Sequence, residues 1–400
     1  MFTTFDLLGV KMSNNILMSR YPSSAYLQSR ARKRLPGFVY DYLEGGSGRQ
    51  AALARNTQVF DQVDLIPRYF NDCAAIDLQT ELFGQTFEVP FGVAPIGMDG
   101  LVYPHAVSHL AQSAQRYGCP IAASTFSTTS LEEVARLAGD NAWFQLYPFS
   151  DERIESDILD RARNAGYSVL IVTVDVPTGG RRERDMRNGL SLPPRPSLRM
   201  CADLVQHPGW ALRLLQSGVP SFSNLHPYKQ QSNDFLPAKV EGAVSWLRLE
   251  AFRRRWPGTL VVKGVLHPED AQRCQALGVD GIVVSNHGGR QLDACPSTIE
   301  VLPAIRAAVG ESFPVLVDSG LRSGLDVARA LAAGADFALL GRTFMYGMAA
   351  LGGAGADHSM QMLRDELENT LQMIRCPNIA QLKQWQSHNM TPMQRKNHNG

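Results

Sequence analysis

The stretch FPVLVDSGLRSGLDVARALAAGADFALLGR (residues 313–342) holds one full turn of a repeat. An apolar run ends on Asp318 and Ser319, a helical pattern follows over LDVARALAAG (325–334), and a second apolar run ends on Gly341 and Arg342. Uninterrupted Val, Leu and Phe suit a strand buried on both faces, the condition of a parallel sheet covered by helices. Toward the N-terminus the same kind of run recurs in PFGVAPIG (90–97), PIAAST (120–125), AWFQLY (142–147), SVLIVTVD (168–175), TLVVKG (259–264) and DGIVVSN (280–286). Amphipathic stretches such as SLEEVARL (130–137) and PEDAQRCQALG (268–278) separate them, and Ser130 with Glu133 has capping-box spacing. Eight strands alternating with helices predict an α/β fold, a (β/α)8 TIM barrel rather than a doubly wound sheet.

Polar residues collect where these strands end: Ser124, Gln145 and Tyr147, Thr173 and Asp175, Lys263, Ser285 and His287, then Asp318, Gly341 and Arg342. Barrel enzymes build their sites on that face. Residues 21–378 are expected to form one domain, opened by a helical region (LPGFVYDYLEGG, 35–46) and a short hairpin. An insertion rich in Pro, Ser and Arg (176–240) follows the fourth strand; loops of that length serve as lids or mobile segments. Residues 1–20 read as a flexible extension and 379–400 as a polar tail.

Composition narrows the function. A 44% apolar content over 400 residues supports a large core, and a net charge of +1 gives no global signal for nucleic acid. Six scattered cysteines form no C-x-x-C and no metal-ligand spacing, which favours a reducing compartment and predicts no metal site. No apolar run is long enough to span a bilayer and no secretory signal is evident, so a cytoplasmic location is expected. The acid-poor, Arg- and Ser-rich residues 10–34 leave a transit peptide as the alternative.

Lys263 ends an apolar strand, where it would serve either as a Schiff-base nucleophile or as a fixed charge beside a reduced cofactor. VDSGLRSG (317–324) and LLGRTF (339–344) place glycines with Arg322 and Arg342 at strands seven and eight, where barrels commonly hold phosphate. No strand is followed by G-x-G-x-x-G, so a nicotinamide Rossmann site is not expected. FMN, with one phosphate and a ring served by a nearby charge, fits better.

SNHGGRQLD (285–293), VYDYLEGG (39–46), WFQLY (143–147), TVDVPTGGRRERD (173–185), VVKG (261–264) and VDSGLRSG occur in the order, and with the residues, of one family. Over residues 21–378 the chain resembles the FMN-dependent α-hydroxy-acid dehydrogenases and oxidases, and most of all their membrane-associated lactate and mandelate branch. The resemblance implies a base, His287, steadied by Asp175, with Tyr147 on the reacting hydroxyl. It implies Arg182, Arg290 and Tyr42 as ligands of the substrate carboxylate. For FMN it implies Pro95, Ile96 and Gly97 through the backbone, with Ser124, Gln145 and Thr173 at polar ring atoms and Ser285 among the cofactor-binding residues. Lys263 would face the reduced ring, and Asp318, Ser319, Gly320, Arg322, Gly341 and Arg342 would hold ribityl and phosphate. The implied reaction oxidises a small L-2-hydroxy acid of lactate or mandelate type to the 2-oxo acid.

The acceptor is expected to be a quinone or another carrier. Gly97 stands where the family brings backbone close to the flavin, and members with glycine there tend to be dehydrogenases. The alternative is an oxidase that yields hydrogen peroxide; a Schiff-base aldolase using Lys263 is the more distant one. Phe126 occupies a position that bears on substrate size. RMCADLVQHPGWALRLLQSG (199–218) mixes arginines with Leu, Val and Trp210, a composition suited to a membrane surface, although Pro208 breaks any continuous helix. Peripheral contact through 190–240 at the inner face of the cell membrane is therefore expected, and the family suggests a homo-oligomer, a tetramer.

Overall fold

A computed structural model describes residues 14–190, 198–228 and 240–389. Strands β1 (Thr80–Leu82) and β2 (Gln85–Phe87) form an antiparallel hairpin. Eight parallel strands then close a barrel: β3 (Phe91–Val93), β4 (Ile121–Ser124), β5 (Ala142–Leu146), β6 (Val169–Thr173), β7 (Thr259–Val265), β8 (Gly281–Val284), β9 (Val315–Val317) and β10 (Phe337–Leu340). Closure joins β10 to β3. The fold is the expected (β/α)8 TIM barrel, with the N-terminal helices Ser24–Arg34 and Gly37–Glu44 ahead of it.

The continuous apolar runs have a direct cause, because both faces of each strand are buried. Trp143, Ile171, Val261, Val283, Leu316 and Phe337 fill the barrel interior. Alternate residues such as Phe144, Leu170, Val262 and Val284 pack outward in the cluster shared with the helices. The hairpin closes the N-terminal end of the barrel, with Phe83 and Phe87 edge-on to Trp143 at 5.9 and 6.0 Å between ring centroids. Aromatic packing thus seals one mouth and leaves the other for chemistry.

Period-two alternation selects the residues at the open mouth. The inward positions Ala122, Trp143, Ile171, Val261 and Val283 are each followed two residues later by Ser124, Gln145, Thr173, Lys263 and Ser285. Strand pairing places Ser124 opposite Gln145 and Thr173 opposite Lys263. The sequence therefore switches from apolar to polar one layer below the rim.

Both chain ends differ from expectation where they are described. Residues 379–389, read as the start of a polar tail, belong to the helix Ile379–Asn389, with Ile379, Leu382 and Trp385 buried. The Trp385 indole donates to Ile66 O at 3.1 Å. Polar residues at the intervening positions hide this anchoring stripe from a composition-based reading. Residues 14–20, read as part of a flexible extension, form the helix Asn14–Arg20 with Leu17 buried. The rest of both termini, 1–13 and 390–400, lies outside the described residues. Within the insertion, helices Leu198–Gln206 and Pro208–Ser217 meet at His207, with Pro208 opening the second as a first-turn proline. Ser130 caps the helix Leu131–Ala138 by accepting from Glu133 N, while the Glu133 carboxylate pairs with Arg136 instead of reaching back.

Candidate active site

A cavity of about 750 Å³ opens at the C-terminal ends of the barrel strands. At its floor the Gln145 amide accepts from Ser124 Oγ at 2.9 Å and donates to Thr173 Oγ1 at 2.8 Å. Ser124 and Thr173 line the cavity, whereas Gln145 sits behind them and fixes their hydroxyls. Ser285, expected like Gln145 among the cofactor ligands, also lies behind the wall. Its hydroxyl takes a hydrogen bond from Lys263 Nζ at 2.7 Å and another from His287 N at 3.1 Å. Two residues before His287, Ser285 thus acts as a strut between Lys263 and the His287 backbone.

Lys263 reaches the cavity as one half of an ion pair, with Nζ 2.7 Å from Asp318 Oδ2. Burial alone would draw its ammonium down, but Asp318 and Asp175 outweigh burial and hold it above the ordinary lysine value. A lysine kept protonated is a poor nucleophile, so the Schiff-base alternative loses its chemical basis.

His287 occupies the left-handed region (φ 57), followed by Gly288 and Gly289 at 65° and 73°. Its Nδ1 lies 2.9 Å from Asp175 Oδ1, and its Nε2 lies 3.2 Å from the Tyr147 hydroxyl. A carboxylate can only accept, so the proton of a neutral ring sits on Nδ1 and leaves Nε2 as the acceptor. Burial would push the Asp175 carboxyl up, yet His287 and Lys263 outweigh it and hold the group below the usual range. Asp175 approaches so closely because Gly264 (φ 110) bulges out of β7; a Cβ there would lie 2.5 Å from the Asp175 Cβ. Asp175 does not itself line the cavity and acts through the imidazole.

Across the cavity stand Arg182, Arg290, Arg322 and Arg342. Arg290 donates to Leu43 O at 2.8 Å and lies over the Tyr42 ring at 5.4 Å, while the Tyr42 hydroxyl donates to Gly97 O at 3.0 Å. Arg342 donates to the backbone oxygens of Leu43, Gly288 and Gly45. Burial, then Arg182, lowers Arg290; burial, then Arg290 and Arg322, brings Arg342 down to about 9. Among the described residues, five Arg and Lys side chains and two carboxylates, Asp185 and Asp318, line the cavity, a surplus of three positive charges. Such a donor set suits an anionic ligand, and a phosphate together with a carboxylate would supply the missing charge.

Pro95, Ile96, Gly97, Ser319, Gly320 and Gly341 complete the expected lining. Ser319 donates to Asp318 Oδ1 and accepts from Gly288 N, so it ties the β9 turn to that of His287. Among the lining residues not singled out as site residues are Asp185 and Phe222. Asp185 sits three residues past Arg182, on one face of the helix Glu183–Arg187, and burial raises its carboxyl. That spacing was a readable signal. Phe222 arrives from the insertion and packs 5.1 Å from Phe126, whose ring lies 5.1 Å from Tyr147. No local pattern marks it, since only the tertiary path of the insertion brings it there.

The model of the family described as FMN-dependent dehydrogenase matches residues 31–388. The chain belongs to this family. It is 38% identical over 367 residues to an L-lactate dehydrogenase of Vibrio parahaemolyticus, covering 90% of this chain and 97% of that one. It is 39% identical over 355 residues to an (S)-mandelate dehydrogenase of Pseudomonas putida, covering 88% and 90%. A crystal structure described as the monotopic membrane protein (S)-mandelate dehydrogenase superposes with a TM-score of 0.87 at 36% identity, covering 93% of this chain and 99% of that one. FMN is thus the cofactor, and the arginine-lined half of the cavity has the donor chemistry that its phosphate requires.

Proposed function

We propose that the chain oxidises an L-2-hydroxy acid, of mandelate or lactate type, to the 2-oxo acid and passes the electrons to a quinone. The observation that carries this reading is the placement of His287 in the cavity, with Nδ1 held by Asp175 and Nε2 facing the Tyr147 hydroxyl as acceptor, in a cavity also lined by Arg290 and Arg182. FMN, when bound, supplies the two-electron acceptor. The chain's own residues do the rest. Arg290, Arg182 and Tyr42 bind the carboxylate and fix the acid's orientation. Tyr147 turns its hydroxyl from His287 to the substrate oxygen. His287 takes the substrate proton at Nε2, and Asp175 stabilises the imidazolium that results. Lys263, kept charged by Asp318, offers a fixed positive charge to the ring, while Ser319, Gly320, Arg322, Gly341 and Arg342 serve ribityl and phosphate.

The aromatic wall of Phe126 and Phe222 supports a bulky apolar side chain on the acid, as in mandelate. Burying a ring there is worth roughly 1.5–3 kcal/mol, enough to raise kcat/KM for (S)-mandelate over L-lactate at least tenfold.

Among the described residues no helix is long and apolar enough to cross a membrane. Surface contact is another matter. Val205, Leu215 and Val219 are exposed by 80%, 82% and 83% along the insertion, while Trp210 anchors it through a 2.9 Å bond to Leu101 O. That surface suits peripheral docking on the inner face of the cell membrane, beside a lipid-soluble quinone. Assembly as a homo-oligomer belongs to the same reading. Stopped-flow reoxidation of substrate-reduced enzyme is the test, with a quinone analogue expected to react at least ten times faster than oxygen in air-saturated buffer. Oxygen matching the quinone overturns the acceptor assignment and makes the chain an oxidase.

A further inference from the structure

Asp293 closes SNHGGRQLD yet lines no part of the cavity. Its two carboxylate oxygens accept from Arg49 N and Ala52 N, both at 3.0 Å. Ala52 N lies in the first turn of the helix Ala51–Gln58 and Arg49 N just ahead of it; the helix's own N-cap residue, Gln50, is left-handed (φ 66) and provides no side-chain cap. Asp293 therefore caps a helix some 240 positions away in sequence, where a carboxylate also meets the positive end of the helix dipole.

The same helix is fastened again near its far end. Asn56, 1% exposed, donates to Asn286 Oδ1 at 2.8 Å and accepts from Asn286 Nδ2 at 2.6 Å. Asn286 Oδ1 also accepts from Gly289 N at 3.1 Å and closes the turn. Between the two fastenings Ser47 N donates to Gly289 O at 2.9 Å. The contact leaves no space: a Cβ on Gly289 would lie 2.7 Å from Leu53 N, and one on Gly320 would lie 2.1 Å from Asn56 O. Both ends of the segment that carries His287 and Arg290 are thus bound to one helix outside the barrel. His287 itself holds a left-handed backbone, which side chains other than glycine keep only where the surroundings impose it.

We propose that Asn56 and Asp293 are positioning residues of the reaction: through Asn286 and the helix Ala51–Gln58 they hold His287 and Arg290 in their working geometry. The proposal rests on His287 being the base. Removing Asn56 would leave the Asn286 amide buried with half its partners gone, free to let the turn relax. A small displacement of the imidazole from the reacting proton is costly in rate.

The test is a double-mutant cycle on FMN-loaded protein, read by anaerobic flavin reduction at saturating hydroxy acid. Asn56→Ala is expected to slow reduction on the order of ten- to a hundredfold with FMN still bound. In the His287→Gln background the same change is expected to cost about twofold or less, because the helix acts through the histidine. Equal losses in both backgrounds, or none in either, overturn the proposal. Asp293→Asn keeps one acceptor oxygen and guards against a folding failure of Asn56→Ala; it should slow reduction about threefold, again only where His287 is present. A second readout is the downfield proton signal of His287 Nδ1–H, which should broaden or vanish in both variants. If His287→Gln reduces flavin as fast as the parent, the base assignment falls separately. The proton signal then decides alone, and its persistence in Asn56→Ala overturns the positioning role.

Discussion

The two ends of the cavity are built on opposite principles. At the His287 end the reacting groups are already partnered: imidazole to Asp175, phenol to imidazole, Lys263 to Asp318 and Ser285. At the arginine end buried charges of one sign face each other, and burial with mutual repulsion pulls Arg290 and Arg342 down. The first end is set before any ligand arrives. The second carries a surplus of positive charge, with Asp185 offsetting only part of it, and gains the rest of its counter-charge from the ligands. Chemistry that depends on angle is thus held by the protein, while recognition that depends on charge is left open for the anions.

The largest effect should come from the preset end. His287→Gln is expected to retain FMN and to slow flavin reduction by at least about a hundredfold, the range lost with a general base. Near-normal anaerobic reduction would remove the distinction between the ends. Arg290→Met should act differently, raising KM for the acid about tenfold or more through loss of a charge-assisted bond while FMN stays bound. A change in the reduction rate with no change in KM would put Arg290 on the wrong side of the comparison.

The open end also predicts stabilisation by simple anions. Inorganic phosphate at about a hundred times its dissociation constant should stabilise the flavin-free protein by about 2.7 kcal/mol, seen as a higher Tm. Arg322→Met should abolish that rise and His287→Gln should leave it intact. Equal loss in both variants would mean that phosphate is not read by the arginines.

The smallest effect lies behind the Arg322 turn. Glu366 accepts from Gly324 N at 2.7 Å, and burial raises its carboxyl to about 7. A raised carboxyl favours the protonated fold, so this group contributes most stability below the unfolded value and loses it as pH rises through about 7. Glu366→Gln, which keeps an acceptor for Gly324, should match the parent at low pH and exceed it by about 1–3 kcal/mol above neutrality. Denaturant midpoints at acid and alkaline pH check this, and a gain at acid pH only would reverse the sign.

Most of the barrel was legible because strands buried on both faces leave unbroken apolar runs, and the rim was legible because each run turns polar at one layer. Ser285 and Gln145 show where that logic stops, since sequence gives the face of a strand but not whether a polar side chain lines the cavity or braces a neighbour that does. Phe222 and the helix Ala51–Gln58 were not legible as site elements. Their partners lie about 100 to 230 positions away, and contacts of that range leave no local period. The anchored helix Ile379–Asn389 escaped for a plainer reason: three buried residues among polar ones look like tail.

One spectrum tests the central claim, that an arginine-held FMN and a hydroxy acid share this cavity beside His287. Purified protein, kept free of oxygen, is mixed with (S)-mandelate or L-lactate and the visible flavin absorbance is followed. The account predicts rapid bleaching by the L-acid and none by its mirror image. FMN that stays oxidised with every 2-hydroxy acid of either hand would contradict it.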